Sequence, residues 1–578
     1  MKKWVFPPVN DVLRDEISRR LDLSALTANI LVSRGVTTVE DARSFLKPTL
    51  DDLIDPGQLP DMEKAVDTIC RHARDGSSIV IYGDYDVDGL CSVTMLLGFL
   101  RLAGLDPTYF VPQRGDEGYG VHTSVIRELK EKGTGLIITV DCGISSVEEV
   151  ALANELGMEV VITDHHEPTP ELPAAAAVVN PKIPGSAYPF TELAGVGVAF
   201  KLVWALADRL SPGERTAPHF RKFLLDSMAL VAMGTIADVV PLLSENRIFA
   251  KFGLEALRVC ELPGVQALMS QCRLIDRELD ASDVSFKLGP KLNVAGRMGS
   301  AEIAMRLLLT DSYGEGELIA RELEGLNRER QAVQQEIMDA ARRKIEEELS
   351  DDDFVYVLAE ENWPAGIIGI VASHIVEQYY RPTIMVSLEG DYGRGSARSV
   401  AALNMVEALT SVDAHLDGYG GHAQAAGIRI ERSRLDDFRR DLNAFAHTVL
   451  SADDLKPKLH CDAEVLLDTL STAFVGELGR LAPFGQSAPE PVLVSRDVSV
   501  AGRCRRVGNS GKHLSCYVTQ GGSAFRCIGF GMGEIAERLP GRGGTFHIAY
   551  NPTIETYTGR GDVELRIRDI HLQGEETP

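Results

Sequence analysis

Apolar runs alternate with amphipathic stretches between about residues 63 and 245. The runs SSIVIYGD, GLIITVD, MEVVITD and AAAAVVN each follow a stretch with helical periodicity. Alternating strands and helices are typical of a parallel sheet with helices on both faces. This part of the chain is therefore predicted to have an α/β fold.

A highly charged segment from Glu317 to Leu349 is predicted to form one long helix. It lacks proline, and apolar residues such as Leu323, Val333 and Ile337 recur at helical intervals. At 1.5 Å per residue such a helix is roughly 45 to 50 Å long. We expect it to join two lobes of the protein.

A second α/β pattern and a strand-rich region follow this helix. FVYVLAE, IIGIVASHIVEQYY and TIMVSLEG form the α/β pattern, and the glycine-rich end contains HLSCYVTQ, AFRCIGFG, TFHIAYNP and VELRIRDIHL, which indicate a small barrel. The predicted segments are an N-terminal helical segment (1–62), a first α/β domain (63–315), the connecting helix (316–350), a second α/β domain (351–452) and the barrel (455–578).

Composition places the chain among ordinary globular proteins of several domains. It has 578 residues, 44% of them apolar and 25% charged. The start of the chain has prolines and charges where a signal peptide needs an apolar run, and no run is long enough for a membrane helix. Nine scattered cysteines without a CxxC pair favour a reducing compartment. We therefore expect a cytoplasmic protein that does not span a membrane.

The formal net charge of −25 argues against a protein that coats nucleic acid by bulk attraction. It does not exclude a local binding site, because divalent cations in a carboxylate-rich site reverse the sign of the charge there.

The strongest local signal is IYGDYDVDG, in which Asp84, Asp86 and Asp88 follow an apolar strand. Three carboxylates so close together repel one another, and a bound cation relieves that repulsion. A calcium-binding EF-hand loop is excluded because its twelfth position requires glutamate, whereas this chain has Met95. A solvated acidic turn is the alternative interpretation.

Two further clusters also follow predicted strands. Asp141 follows LIITV, and Asp164, His165 and His166 follow VVIT. Ligands of open α/β sheets bind at the carboxyl ends of the strands, so these clusters are expected to meet, with Asp238 of GTIADVVPL as a fourth contributor. Taken singly, the aspartates can be helix caps and His166 a buried core imidazole.

Carboxylate oxygens combined with one or two imidazoles suit Mn²⁺ or Mg²⁺ better than a structural zinc ion. Two such ions about 4 Å apart can activate water and stabilise an in-line displacement at phosphorus. The predicted reaction is hydrolysis of a phosphate ester or anhydride.

These motifs resemble those of a known superfamily. DYDVDG, VDCGIS, DHH and GTIADVVPL occur in the order and spacing of the DHH phosphoesterases, and GYGGHAQAAG (residues 418–427) looks like the GGH motif of the associated DHHA1 domain. With LNVAGRMG, GSARS, the long helix and the barrel, the chain is similar over nearly its full length to the RecJ family of bacterial 5′ exonucleases specific for single strands. The resemblance implies a parallel-sheet DHH domain, a DHHA1 domain and an OB-like barrel.

The resemblance also implies roles for the acidic and histidine residues. The implied metal ligands are Asp86, Asp88, Asp141, His165 and Asp238, with Asp141 bridging two ions. Asp84 and His166 are implied to act beside the ions, Asp84 as a ligand or a supporting partner and His166 on a ligand or the scissile phosphate. Pyrophosphatase-like relatives have a histidine where this chain has Tyr82, which argues against that branch.

Substrate contacts are expected mainly in the second lobe. Arginine and hydroxyl donors suit a terminal phosphate, glycines permit close approach, and aromatic rings stack on bases. The expected substrate-binding residues are Arg114, Tyr119, Arg297, Ser396, Arg398, Gly420, Gly421 and His422, with Arg503, Arg505 and Arg506 on the barrel. Surface ion pairs for the arginines and core packing for Tyr119 are the alternatives.

The resemblance implies an exonuclease that uses two divalent cations to degrade single-stranded DNA from its 5′ end in repair and recombination. A monomer is expected because the internal lobes give no need for a dimer. A helicase or a single-strand-binding protein is the expected partner. One alternative is a phosphodiesterase for oligonucleotides or cyclic dinucleotides, but such enzymes usually lack the N-terminal segment and the barrel. A non-catalytic replication scaffold is the other, although scaffolds of that kind lose metal ligands that this chain retains.

Overall fold

The computed structural model describes residues 2–112, 120–213, 216–350, 352–508, 510–540, 544–555 and 561–572. The chain forms two compact units. One contains residues 1–52, 241–247 and 456–578, and the other contains residues 53–240 and 248–455. None of the helices in the described ranges is long and apolar enough to cross a membrane.

The strands and helices are numbered in chain order. The strands are β1 Lys3–Val5, β2 Ser78–Gly83, β3 Thr108–Phe110, β4 Thr134–Val140, β5 Glu159–Thr163, β6 Ala177–Val179, β7 Tyr356–Glu361, β8 Thr383–Glu389, β9 Tyr392–Arg398, β10 Leu416–His422, β11 Ala425–Glu431, β12 Lys458–His460, β13 Ala463–Glu464, β14 Leu493–Val500, β15 Arg505–Val507, β16 His513–Gln520, β17 Ser523–Gly529, β18 Phe546–Ile554 and β19 Val563–Leu572. The helices are α1 Asp11–Leu21, α2 Ala25–Ser33, α3 Val39–Leu46, α4 Met62–Asp75, α5 Val87–Leu102, α6 Thr123–Glu131, α7 Val147–Glu155, α8 Gly195–Arg209, α9 Pro218–Ala237, α10 Ser244–Arg258, α11 Pro263–Gln271, α12 Ala281–Asp283, α13 Gly289–Met298, α14 Ala301–Leu309, α15 Tyr313–Glu348, α16 Ala365–Tyr379, α17 Met405–Thr410, α18 Leu435–Val449 and α19 Thr472–Gly479.

The first α/β domain contains a five-stranded parallel sheet. Its strand order is β3-β2-β4-β5-β6, and all four pairings are parallel. The central strands are almost completely buried, as expected for a parallel sheet covered on both faces. The apolar runs identified in the sequence therefore form the core of this domain, and the predicted fold class is confirmed.

The predicted long helix, α15, has 36 residues. It begins earlier than predicted because Ser312 caps it and because Gly316 packs close to Gly264 of α11. At 1.5 Å per residue it is about 54 Å long. Its C-terminal half packs against the second lobe through Ile337, Met338 and Ala341.

The second α/β domain contains a mixed sheet with the order β10-β11-β9-β8-β7. Only β7 and β8 pair in parallel. Helix α16 packs on one face, where Met385 is buried, and α18 packs on the other, where Ala397 and Phe438 are buried. Two different helices therefore cover the two faces of this sheet.

The unit that contains the chain ends includes the predicted barrel. Strand β14 pairs with both β18 and β16, and this closes a ring of five strands in the order β14-β18-β19-β17-β16. Strand β1 pairs in parallel with β12, and Trp4 stacks on His571 at a centroid distance of 3.9 Å. Residues near the start of the chain are therefore part of the same unit as the barrel.

Candidate metal centre

Three acidic segments follow three neighbouring strands of the parallel sheet. Asp84 follows β2, Asp141 follows β4 and Asp164 follows β5. The last residues of these strands pair in register, so the strands end level with one another. As expected, the three segments lie at the same edge of the sheet.

Asp86 shapes the loop after β2. It immediately precedes α5, and its Oδ1 accepts hydrogen bonds from the backbone N–H groups of Asp88 (2.9 Å) and Gly89 (3.2 Å). A Cβ atom at Gly89 would lie 2.5 Å from the carbonyl oxygen of Asp84, so this tight turn requires glycine. The turn gathers the carboxylates at the N-terminus of a helix, where the helix dipole favours negative charge.

Backbone groups from α8 hold the Asp88 carboxylate. Asp88 is buried, and it accepts hydrogen bonds from the N–H groups of Gly195 (2.7 Å) and Val196 (2.8 Å). A Cβ atom at Gly195 would lie 2.4 Å from Asp141 Oδ1, and one at Gly234 would lie 2.6 Å from Asp88 Oδ1. The two glycines therefore provide the space that these carboxylates occupy.

The predicted ligands fall into adjoining groups. Within the described residues, three groups have ligand atoms that all lie within 4.8 Å of one another. The groups are Asp84, Asp86 and Asp141; Asp88, His165 and Asp238; and Asp141, His165 and His166. Because Asp141 belongs to the first group and the third group links it to His165, this geometry suits two ions that share Asp141.

His165 faces carboxylates on three sides. Its Nε2 atom lies 3.2 Å from Asp141 Oδ1, 3.6 Å from Asp238 Oδ2 and 3.9 Å from Asp88 Oδ2. Burial and the neighbouring His166 lower the pKa of His165 to about 3. The imidazole is therefore neutral at physiological pH and keeps a nitrogen lone pair that can bind a metal.

Two residues of this region have a left-handed backbone conformation. Asp141 has a φ angle of 61°, and Val239, which follows Asp238, has a φ angle of 63°. A β-branched residue rarely adopts this conformation, and such strain persists only where the surrounding structure imposes it. The fold therefore holds both carboxylates in fixed positions.

Asp164 orients the histidine pair. It is fully buried, and its Oδ1 atom accepts hydrogen bonds from the His165 N–H (2.7 Å) and from His166 Nδ1 (2.8 Å). Burial lowers the pKa of His166, but the bond to Asp164 outweighs this effect and raises it above its usual value. Asp164 thereby fixes the proton of His166 on Nδ1 and the orientation of the ring.

The electrostatics of the centre favour a cation. Burial, followed by the charge of Asp86, raises the pKa of Asp88 to about 7. Burial and neighbouring carboxylates also raise the pKa values of Asp141 and Asp238 well above their usual range. Oxygen ligands with one neutral imidazole fit Mn²⁺ or Mg²⁺, and such ions would replace the protons that otherwise relieve the repulsion.

We expect Mn²⁺ to stabilise the protein more at about pH 8 than at about pH 5. The raised pKa values mean that the metal-free folded state binds protons that the unfolded state releases, so its stability falls as pH rises through about 7. Bound Mn²⁺ removes this penalty. The measurement is the melting temperature with Mn²⁺ minus that with EDTA, at both pH values.

The control for this measurement is Asp436→Asn, which removes an exposed carboxylate of the second lobe and should leave the difference unchanged. A Mn²⁺ effect that does not vary with pH would contradict the protonation of the buried carboxyls.

The predicted phosphate-binding residues of the two lobes meet at the start of α16. Arg297, at the end of α13, donates a hydrogen bond from Nη1 to the carbonyl oxygen of Gly366 (3.2 Å). On β9, Arg398 donates to Ser396 Oγ (3.0 Å), and a Cβ atom at Gly369 would lie 2.8 Å from that hydroxyl. These donors therefore surround the first turns of a helix, where anions bind favourably.

The GGH segment lies on β10. Gly420 pairs with Gly427, which in turn pairs with Ser396, so Gly420 and Ser396 lie in one row across the sheet. His422 is exposed in the neighbouring row, which contains Arg398. Gly421 is required by the backbone, because a Cβ atom there would lie 2.3 Å from the carbonyl oxygen of Ala425.

Interpretation of the sequence missed Asn293, the α8 amides, Gly234 and the orienting role of Asp164. Asn293 Oδ1 accepts a hydrogen bond from the N–H of Val87 (3.0 Å), and Gly296 packs against Tyr85. Helix α13 therefore supports the acidic loop as well as carrying Arg297. The motif LNVAGRMG contains Asn293 and Gly296, but the sequence alone predicts a role only for its arginine.

The predicted arginines of the barrel, Arg503, Arg505 and Arg506, are exposed. Tyr517 is 52% exposed on β16, and Arg526 lies directly opposite it on β17. An exposed ring suits base stacking, and an exposed arginine suits a contact with the phosphate backbone. Two of these arginines also have acidic neighbours, since Arg526 lies 3.3 Å from Glu564 and Arg506 lies 3.6 Å from Glu537. Two other predicted residues, Arg114 and Tyr119, lie outside the described ranges.

The sequence matches three known domain families. The DHH family N-terminal domain matches residues 78–235, the DHHA1 domain matches residues 351–448, and the RecJ OB domain matches residues 461–569. The single-stranded-DNA-specific exonuclease RecJ of Bacillus subtilis (strain 168) is 38% identical over 556 residues, which cover 96% of this chain and 69% of that protein.

Two crystal structures of RecJ from Thermus thermophilus also match. The complex with Mn²⁺ has a TM-score of 0.83 at 30% identity and covers 98% of this chain and 79% of that chain. The complex with Mg²⁺ has a TM-score of 0.76 at 28% identity, with coverage of 98% and 78%. The chain therefore belongs to the RecJ family of DHH phosphoesterases.

Proposed function

We propose that the chain is a metal-dependent exonuclease that degrades single-stranded DNA from its 5′ end by hydrolysing phosphodiester bonds. The observation that carries this proposal is the set of three adjoining ligand groups, two of which share Asp141 and two of which share His165. Its relatives are named as exonucleases specific for single-stranded DNA, and two related crystal structures contain Mn²⁺ or Mg²⁺. Residues 63–315 then form the catalytic domain, 351–452 the end-binding domain and 455–578 a strand-binding barrel.

The metal ligands are Asp86, Asp88, Asp141, His165 and Asp238, with Asp84 as a ligand or a supporting partner. Two divalent cations bound there supply an activated water and neutralise charge on the scissile phosphate. The protein fixes the ligand positions: the α8 amides hold Asp88, and the left-handed backbone places Asp141. His166, with its proton fixed on Nδ1 by Asp164, orients the substrate phosphate or a neighbouring ligand.

The start of α16 holds the 5′ phosphate. Arg297, Ser396 and Arg398 supply guanidinium and hydroxyl donors there, and a guanidinium can bind a terminal phosphate with two hydrogen bonds. These residues belong to the same unit as the metal centre. Our proposal is that binding of the end there presents the first phosphodiester bond for cleavage.

The barrel binds the strand without reading its sequence. Tyr517 stacks on bases, and Arg526 and the exposed Arg503 and Arg505 contact phosphates. We further propose that the protein acts as a cytoplasmic monomer on strands supplied by a helicase or covered by a single-strand-binding protein, because neither lobe needs a second copy to complete its site.

The direct test compares single strands labelled at the 5′ or the 3′ end, in Mn²⁺ and in EDTA, with duplex and a dinucleotide as further substrates. We expect the 5′ label to appear in mononucleotides from the first time points, while the 3′ label remains in progressively shorter strands. EDTA should stop both reactions, and duplex should be resistant.

Cleavage of the dinucleotide alone would instead identify an oligonucleotide phosphodiesterase. Lack of any Mn²⁺-dependent cleavage would indicate a scaffold.

A further inference from the structure

A pair of exposed arginines lies on the sheet face that contains Ser396 and Arg398. Side chains alternate between faces along a strand, so Arg394 projects on the same side as Ser396, while Gly393 and Ala397 face the buried core below. On the neighbouring strand, Arg429 pairs directly with Arg394. The two guanidinium side chains are therefore neighbours on one surface.

The pairing register arranges this surface in rows across β9, β11 and β10. The rows are Arg398–Ala425–His422, Ser396–Gly427–Gly420 and Arg394–Arg429–Gly418. Successive rows are about 6.8 Å apart, because each step is two residues of an extended strand. The middle row has glycine at two of its three positions, so no side chain on β11 or β10 separates the first row from the arginine pair.

Among the residues that the structure describes, the arginine pair lacks the acidic partners that neighbouring arginines have. Both residues are exposed, and in the described part of the chain no carboxylate oxygen lies within 4.0 Å of either guanidinium. By contrast, Arg432 pairs with Glu361 at 2.8 Å, and Arg434 lies 3.3 Å from Glu431.

Like charges directly opposite each other in an antiparallel pair are destabilising. In a chain with a net charge of −25, two adjacent uncompensated cations mark a place where an anion would relieve repulsion.

We propose that Arg394 and Arg429 form a second phosphate site. It binds the phosphate group on the 5′ side of the one held by Ser396 and Arg398. This proposal rests on the proposed function, because it takes Ser396 and Arg398 as the site of the first phosphate. The row of Ser396 is about 6.8 Å from the row of the arginine pair, which is comparable to the step from one phosphate group to the next along a strand. The occupant is either the outer phosphate of a 5′-triphosphate end or the 5′ phosphate of a strand bound one nucleotide further along.

Binding measurements test the first of these sources. Fluorescence anisotropy in EDTA would compare 3′-labelled single strands that carry a 5′ hydroxyl, monophosphate or triphosphate. For the unmodified protein we expect affinity to increase at each step. The double variant Arg394→Gln/Arg429→Gln should keep the gain in affinity from hydroxyl to monophosphate. It should lose the gain in affinity from monophosphate to triphosphate, which we expect to be about tenfold for two charge-assisted contacts.

Product analysis in Mn²⁺ tests the second source. A strand whose 5′ phosphate occupies the arginine pair has its second linkage at the metal centre, so cleavage releases a dinucleotide. We expect the unmodified protein to release a minor dinucleotide fraction and the double variant to release mononucleotides alone. If the double variant changes neither the triphosphate gain nor the dinucleotide fraction, the second site does not exist.

Two further variants separate the possible failures. Arg432→Gln/Arg434→Gln removes the same charge from paired positions, and an equal loss of the triphosphate gain there would also overturn the proposal.

Arg398→Gln should remove the gain in affinity from the 5′ hydroxyl to the 5′ monophosphate. If the unmodified protein shows no such gain, the failure lies in the proposed end recognition. The double variant should melt no lower than the unmodified protein, because it removes a like-charge pair.

Discussion

Asp141→Asn should reduce the rate of Mn²⁺-dependent cleavage by about a thousandfold, equivalent to about 4 kcal/mol of transition-state stabilisation. Asp141 is the carboxylate shared by two of the three ligand groups, and an amide cannot supply its charge or its second anionic oxygen. Asparagine tolerates the left-handed backbone at this position, so the fold should persist. The measurement is the single-turnover rate at saturating Mn²⁺.

Melting temperatures distinguish loss of a ligand from general damage. In EDTA the variant should melt no lower than the unmodified protein, because it has one fewer buried carboxylate in a mutually repelling group. In Mn²⁺ it should melt lower. Asp276→Asn, the same change at an exposed residue with a φ angle of 58°, should alter neither value. If the cleavage rate of Asp141→Asn stays within tenfold of that of the unmodified protein, Asp141 is not the ligand that the two ions share.

Gly195→Ala should reduce activity by about a hundredfold and raise the Mn²⁺ concentration needed for half-maximal rate. The added methyl group would lie 2.4 Å from Asp141 Oδ1 and 2.8 Å from Asp141 Cβ, so the carboxylate must move. A displacement of about 1 Å in a catalytic constellation is enough for an effect of this size. A Mn²⁺ titration of the cleavage rate is the measurement.

Gly98→Ala, in α5, provides the matched control. Its added methyl group would lie 3.4 Å from the Phe223 ring, an ordinary contact, and alanine favours a helix by about 1 kcal/mol over glycine. This control should keep full activity. An unchanged Mn²⁺ titration for Gly195→Ala would show that Asp141 is free to adjust.

The sequence was sufficient to predict the fold class and the edge of the sheet where acidic residues gather. Both follow from local signals, because a buried parallel strand is a continuous apolar run and the acidic residues come directly after it. The N-terminus of α3 is another local feature, since Thr38 caps the helix and its side chain and that of Asp41 bond reciprocally to the backbone. Local chemistry is enough for features of this kind.

Support from distant parts of the chain could not be predicted. Gly195 is 107 positions from Asp88, and Asn293 is 206 positions from Val87, so nothing in the local pattern connects either pair. Glycines at 195 and 234 matter because of what packs beside them after folding. The arginine pair could not be predicted for the same reason, because Arg394 and Arg429 become neighbours only through the pairing register of β9 and β11. The roles proposed for the site residues remain predictions.

The pairing of β1 with β12 has a consequence for biosynthesis. Lys3 and Lys458 are partners in the sheet, and Trp4 donates a hydrogen bond to Asp569. At about 5 to 20 residues per second, a ribosome needs roughly 20 to 90 s to make the intervening chain. During that time β1 has no partner strand. Apolar side chains that are buried in the finished unit, such as Ile30 and Leu31, do not yet have their final environment. The unit with the barrel therefore cannot complete its fold until the chain has been translated through β19.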